Sequence, residues 1–219
     1  MITFALPDGT LDKLVSLSET GDSTGMQGLS IIEEQDKIKG IVSDFMDISS
    51  YHYGNLFSHV DPFTMHADIS DKKRTILLMP IQAAPDQHFV VFDQTVEQLE
   101  PVSWIWNIFD NLSEQELADR YYLSALKSRP CEYKNTRGLT NQPCSEDLFE
   151  YLPYSREFYY GMSGRAWPYT PGQALLFPAN HIHATGKMSA PKVGCTVQFN
   201  LDYPEVLAGL CSTIKHSQF

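Results

Sequence analysis

The amino-acid sequence predicts a mainly β domain of closely spaced antiparallel strands, with helices flanking it and one long insertion interrupting it. Three observations predict this class. From Tyr51 the chain is aromatic and alternating, and the runs RTILLMPI and HFVVFDQ that follow are strongly β-prone. Gly, Pro and Asp stand between the runs, where turns need them. After a stretch of different character, strand-like runs return at RAWPYTPGQALLFP, NHIHATGKM and KVGCTVQFNL. A β-block split by one insertion, without repeats or low-complexity linkers, is expected to be a single domain over residues 1–219.

The elements follow in order. Residues 1–50 are expected to support the sheet: Ile2–Leu6 is a short strand candidate, and Thr10 can cap a helix through about Leu17. Ile38, Ile41, Val42, Phe45 and Met46 recur at helical spacing, which predicts an amphipathic helix over roughly 33–48. Residues 95–165 form the insertion. In it, Ser113-Glu114-Gln115-Glu116 is a capping-box pattern opening a helix to about Lys127, and Pro130, Gly138, Pro143 and Pro153 mark a long irregular stretch. A loop of that length in a compact domain suits a lid over a site. Its aromatic residues Tyr151, Tyr154, Phe158, Tyr159 and Tyr160 are expected mostly to pack the insertion onto the sheet. The tail from Pro204 is expected to be a short helix and a frayed end.

Composition narrows the function. The net charge of −11 argues against a general nucleic-acid or anionic-membrane binder. The basic cluster Lys72-Lys73-Arg74 falls between strand candidates and suits a solvated turn. No apolar run approaches the roughly 20 residues a membrane helix needs. The start of the chain lacks the basic and apolar regions of a secretory signal, and Cys131, Cys144, Cys195 and Cys211 show no close metal spacing. A cytoplasmic protein with reduced thiols is the expectation.

The chemistry centres on His66-Ala67-Asp68. In a strand, side chains two apart share a face, so His66 and Asp68 converge while Met65, Ala67 and Ile69 face the core. One imidazole and one carboxylate are two-thirds of the two-His-one-carboxylate triad that leaves open positions on Fe(II). His181 or His183 can complete it, and His183 is better placed, because the sequence after it behaves as the second half of a site. There Lys192, Gly194, Thr196 and Gln198 share one face of an alternating strand, with Val193, Cys195, Val197 and Phe199 on the other. A lysine on the inner face of a barrel-like sheet needs an anion, and a dicarboxylate supplies one. Gly194 beside it leaves room for a ligand.

The order His66-x-Asp68, His183, Lys192 resembles the Fe(II)/2-oxoglutarate-dependent dioxygenases. The local wording is similar to phytanoyl-hydroxylase-like members and to members seen in marine bacteria and their phages. Ile76–Ile81 resembles an "ILIPL"-like strand, Val91-Phe92-Asp93-Gln94 a "VFDQ"-like segment, and Trp167 to Gln173 the "W-x-x-G-D" turn before the distal His. PGQALLFPANHIHATG also resembles the phytanoyl-hydroxylase pattern, and the likeness covers about residues 51–202. The resemblance implies a double-stranded β-helix, a cupin-like jelly roll with helices on one side. It implies Fe(II), 2-oxoglutarate and O2 as cofactor and co-substrates, with His66, Asp68 and His183 on the metal and Lys192 on the distal carboxylate of 2-oxoglutarate. Thr196, on the Lys192 face, and Tyr53 are further candidates for the co-substrate site. Two departures stand out: most members carry Arg where Lys192 stands, and often Ser where Gly194 stands. Related halogenases replace the Asp of His-x-Asp by a small residue, so Asp68 favours hydroxylation or a related oxidation.

Alternatives remain open at this point. His59-Val60-Asp61 is a second His-x-Asp, with Tyr53 upstream as in prolyl-hydroxylase-like members, although Pro62 ends that strand at once. A metal-binding cupin without 2-oxoglutarate chemistry shares the jelly roll but usually shows His-x-His followed closely by Glu, which the His181/His183 pair lacks. A non-enzymatic jelly-roll binding module needs none of the ordered set. The aromatic insertion suits a peptide, an amino-acid derivative or another small molecule as substrate.

Overall fold

The structure is a computed structural model that describes residues 1–20, 31–60, 62, 65, 67, 73–96, 136–138, 140, 142–153, 156–210, 214 and 216–218. The first half contains β1 (Ile2–Ala5), α1 (Thr10–Thr20), α2 (Ile31–Ser43), β2 (Tyr51–His59), β3 (Thr75–Gln82) and β4 (His88–Val96). The second contains β5 (Thr136–Arg137), α3 (Glu146–Phe149), a 3-10 turn over Arg156–Tyr159, β6 (Gly164–Pro168), β7 (Gln173–Pro178), β8 (His181–Thr185), β9 (Lys192–Phe199), α4 (Tyr203–Ala208) and β10 (His216–Gln218). The predicted helix at 113–127 lies outside the described residues.

The strands form two antiparallel sheets. The larger runs β10-β1-β7-β3-β9-β2. In the smaller, β4 pairs with β5 and β6 along one side and with β8 along the other. Strands adjacent in sequence mostly pair with strands further along: β3 takes β7 and β9, and β4 takes β6 and β8. From β6 to β9 the chain alternates between the sheets, one strand in each by turns, and β10 then returns to the larger sheet. This is the double-stranded β-helix, a mainly β jelly roll with α1 and α2 on the larger sheet and the short α3 behind the smaller one.

The two-residue period of the strands divides the core into three layers. Leu77, Met79, Cys195, Val197 and Phe199 point out of the larger sheet and pack under Leu14 and Leu17 of α1 and Ile38 and Val42 of α2. Ile76, Leu78, Leu175 and Phe177 point the other way and meet Phe89, Val91 and Trp167 of the smaller sheet. Behind the smaller sheet, Val90, Phe92, Ile182 and Ala184 pack with Met65, Ala67, Cys144, Leu148, Leu152 and Tyr159. Tyr159 stacks on Phe92 at 6.1 Å, so this aromatic of the insertion packs onto the sheet as expected. Among the described residues, no helix is long and apolar enough to cross a membrane.

Three local features depart from the sequence expectation or refine it. α2 stops at Ser43, and Phe45 and Met46 enter the core from a turn in which Met46 bridges to Leu210. The tail does not simply fray. Asp202 and Glu205 close a capping box on α4, and His216–Gln218 then adds a strand to β1. The margin of β2 is met by side chains of α2: Gly54 donates its N–H to the Gln35 amide oxygen at 2.8 Å, and the Gln35 amide nitrogen donates to the Gly54 carbonyl. Glu34 accepts from the Leu56 N–H at 2.9 Å. Gly54 permits this approach, because a β-carbon there would lie 2.8 Å from Ile38 Cγ2.

Gly164 makes a similar close approach where β6 crosses β4. A β-carbon on it would run into the Val91 carbonyl oxygen and lie 2.7 Å from Phe92 Cα, both backbone atoms. Neither yields without moving β4, so Gly164→Ala is expected to destabilise the fold by about 1–3 kcal/mol in chemical denaturation. A variant as stable as the wild type would show that β4 gives way easily at this crossing.

Candidate active site

The space between the two sheets holds the candidate site. β8 brings His183 into it, paired with Val91 of β4 and nearly fully buried. The imidazole sits against Phe89 at 5.4 Å and edge-on to Phe177 at 5.3 Å. Its Nδ1 is 3.0 Å from the His181 carbonyl oxygen. A carbonyl only accepts, so Nδ1 carries the proton and the ring lone pair is on Nε2. A neutral imidazole in that tautomer is the donor a divalent transition metal takes.

His181 lies one inward position earlier, is half-buried, and donates its own Nδ1 proton to the Phe92 carbonyl at 2.8 Å. Burial lowers its basicity, and the bond to Phe92 partly offsets that. Both histidines are thus fixed in the same tautomer. They differ in setting: among the described residues His183 meets two phenylalanine rings and His181 none.

Lys192 opens β9 with its side chain pointing between the sheets, 1% exposed. The ammonium stands 4.5 Å from the centroid of the Tyr169 ring and 5.8 Å from that of Phe89. Among the described residues it has no carboxylate partner. Burial alone lowers its pKa from 10.5 to about 7. Phe89 touches both His183 and Lys192, so one ring links the two groups.

The structure treats the other candidates differently. Met65 and Ala67 are buried behind the smaller sheet, whereas His66, Asp68 and Ile69 lie outside the described residues. His59 ends β2 in register with Lys192, and its ring stacks on Phe57 at 4.8 Å; Asp61 is outside the described residues. Thr196 is on the Lys192 face, four residues along β9, and its hydroxyl donates to the Asn55 side-chain oxygen. Tyr53 is 41% exposed and pairs with Gln198, six residues from Lys192. At about 3.4 Å per residue that is roughly 20 Å, so the strand does not bring Tyr53 to Lys192. Among the described residues no three His, Cys, Asp or Glu side chains gather as a metal site.

The expected room beside Gly194 is already filled. A β-carbon there would run into the Tyr169 hydroxyl and lie 2.5 Å from Phe57 Cζ. Tyr169, Phe89 and Phe177 are residues that sequence reasoning did not place in the site. Phe89 and Phe177 were open to it, since each stands on the inward face of a predicted strand. Tyr169 follows the end of β6 and is set by a long-range bond from its N–H to the Gln87 carbonyl, 2.9 Å.

No family model matches the chain, and no curated protein matches it in sequence. Among solved structures, it is similar to the non-heme alpha ketoglutarate dependent epimerase SnoN from nogalamycin biosynthesis, with 9% identity and a TM-score of 0.46, over 91% of this chain and 77% of that one. It is also similar to an N-substituted L-amino acid dioxygenase from Burkholderia ambifaria AMMD in complex with alpha-KG, with 13% identity and a TM-score of 0.43, over 90% of this chain and 80% of that one.

Proposed function

We propose that the protein is an Fe(II)- and 2-oxoglutarate-dependent oxygenase that hydroxylates a small molecule or an amino-acid or peptide substrate in the cytoplasm, without a nucleic-acid or membrane partner. The observation that carries this is Lys192: a cation enclosed between the sheets, with no carboxylate partner among the described residues, one strand after a histidine whose tautomer suits a metal. An ammonium in such a place costs several kcal/mol unless an anion meets it. A dicarboxylate whose other end chelates a metal is such an anion.

The donor set fits the cofactor. His183 supplies a neutral nitrogen, and we assign His66 and Asp68 as the remaining ligands. Their neighbours Met65 and Ala67 are buried behind the smaller sheet, Met65 in a bend and Ala67 outside any strand rather than in the strand the sequence predicted, so the assignment of His66 and Asp68 rests on the order of residues in the sequence. Bound there, Fe(II) with 2-oxoglutarate and O2 supplies the oxidising power to break a substrate C–H bond, with succinate and CO2 released. The chain's own residues do the rest. Lys192 holds and orients the distal carboxylate. The His181 carbonyl keeps the His183 proton on Nδ1, and Phe89 and Phe177 hold that ring and keep water from it. The insertion over 95–165 is assigned to cover the substrate.

The test is anaerobic purification, metal analysis, then 2-oxoglutarate consumption and succinate formation against a substrate library. Iron with coupled succinate is the expected result. Bound metal without any 2-oxoglutarate turnover would mark a cupin of other chemistry, and no metal at all a binding module.

A further inference from the structure

The smaller sheet carries two further charged groups on its inward face. Val91 pairs with His183 of β8 on one side and with Arg165 of β6 on the other, so the three stand in one row across the sheet. Strands lie about 4.8 Å apart, which puts the α-carbon of Arg165 roughly 10 Å from that of His183. Val91 and Trp167 point between the sheets and Ala166 packs behind, so the two-residue period turns Arg165 inward. Asp93 is the next inward position along β4. Its N–H donates to the Ser163 carbonyl at 2.8 Å, and its carboxylate accepts from the Ser163 hydroxyl at 2.9 Å. Phe89, the ring that meets Lys192, lies four residues from Asp93 on the same strand, or roughly 14 Å. Asp93 therefore flanks the row of His183 and Arg165 on the side away from Lys192.

Both charged side chains are exposed, and neither forms an ion pair among the described residues. Diagonal neighbours on one face of a sheet stand about 7–8 Å apart, within reach of a guanidinium, yet these two do not bridge. An exposed bridge is worth only about 0–1 kcal/mol, so leaving it open costs little. It leaves a cation and an anion side by side, both free for a ligand, next to His183. An anion alone satisfies Arg165, and a cation alone satisfies Asp93. A molecule with a carboxylate and an ammonium on one carbon satisfies both. We propose that Arg165 and Asp93 bind a free amino acid as the substrate, Arg165 taking its carboxylate in a forked pair of hydrogen bonds and Asp93 its ammonium, so that the rest of the molecule lies toward His183. The inference rests on the oxygenase reading above and narrows its substrate to a zwitterion. A residue inside a peptide, whose amide bonds carry neither charge, does not fit.

The experiment is calorimetric binding to the full chain loaded with Mn(II) and 2-oxoglutarate. The probes are the proteinogenic L-amino acids in free form and, for each that binds, its amide and its N-acetyl derivative. Free amino acids are expected to bind, with both derivatives about tenfold or more weaker. Arg165→Gln is expected to weaken the free amino acid by a similar factor and to leave the amide unchanged. Asp93→Asn keeps an acceptor for Ser163; it is expected to weaken the free amino acid and to leave the N-acetyl derivative unchanged. Mn(II) and 2-oxoglutarate affinities stay at wild-type values in both variants. No binding by any free amino acid, derivatives as tight as the parent, or wild-type affinity in either variant overturns the zwitterion site and leaves the oxygenase reading standing. Loss of 2-oxoglutarate affinity in Arg165→Gln also overturns it, because Arg165 then serves the co-substrate. A wild type that does not take up Mn(II) with 2-oxoglutarate overturns the oxygenase reading and this inference with it.

Discussion

Lys192→Met melts at a higher temperature than the wild type when both are free of 2-oxoglutarate, and gains less from added 2-oxoglutarate. Both halves follow from one enclosed ammonium. Burial lowers the Lys192 pKa from 10.5 to about 7, so between those pH values the unfolded chain holds a proton that the folded chain has released. Stability of the wild type therefore rises with pH across that window, and the full penalty applies below it. Near neutral pH the penalty is on the order of 2–4 kcal/mol, and a methionine of similar length does not bear it. For a chain of this size that corresponds to roughly 5–10 °C in the melting midpoint, an advantage that narrows as pH rises toward 10. In the wild type, 2-oxoglutarate at a hundred times its dissociation constant returns about 2.7 kcal/mol, and in the variant, which keeps only the metal end of the contact, the gain is smaller. Scanning calorimetry of the metal-loaded proteins, with and without 2-oxoglutarate, across pH 6 to 10 measures both effects. A variant less stable than the wild type without ligand would sink the claim that the lysine is kept for an anion.

His183→Ala loses the metal and all turnover, while His181→Ala keeps the metal. The oxygenase reading makes His183 a direct ligand, and losing even a group behind a ligand costs about 10–100-fold in metal affinity, so the direct loss exceeds that. His181 contributes its backbone carbonyl to His183, and the alanine variant retains that carbonyl. Metal content after anaerobic purification separates the two, and the pairs His66→Ala and His59→Ala distinguish the two His-x-Asp registers the same way. Retention of iron by His183→Ala, with loss in His181→Ala, would move the ligand to the earlier histidine.

The inward turn of Lys192 was legible because β9 alternates strictly: α1 and α2 bury one face, and a slip of one residue would put Val197 and Phe199 between polar neighbours. Along β3 the rule had nothing to decide, because Ile76 to Met79 are all apolar and all buried, Ile76 and Leu78 on one face and Leu77 and Met79 on the other. What lay beyond it were contacts between distant parts of the chain. Gly194 looked like vacant space, and the atom that fills it belongs to Tyr169, in the segment after β6, where no local pattern announces it. Tyr53 looked close to the co-substrate by analogy of order, but the antiparallel register with β9, which pairs His59 with Lys192 and Tyr53 with Gln198, puts it at the other end of the strand pair. His-Ser-Gln at 216–218 has no hydrophobic alternation, and its pairing with β1 depends on the position of a strand some two hundred residues earlier. α2 ended early because Phe45 and Met46, though spaced for a helix, bury equally well from a turn.

The contact of α2 with β2 bears on how copies of this protein behave toward one another. A strand at the margin of a sheet offers unpaired peptide groups, and another chain can add to them and propagate. At Gly54 the Gln35 carboxamide imitates a peptide unit, accepting and donating as a neighbouring strand does, and Glu34 adds a negative charge beside it. The molecule thus shuts its own seam with two side chains instead of a further strand. Gln35→Ala leaves the fold's interior intact but reopens that seam at Gly54, so self-association that grows with protein concentration is the consequence, visible by sedimentation while the wild type at the same concentration stays in smaller species.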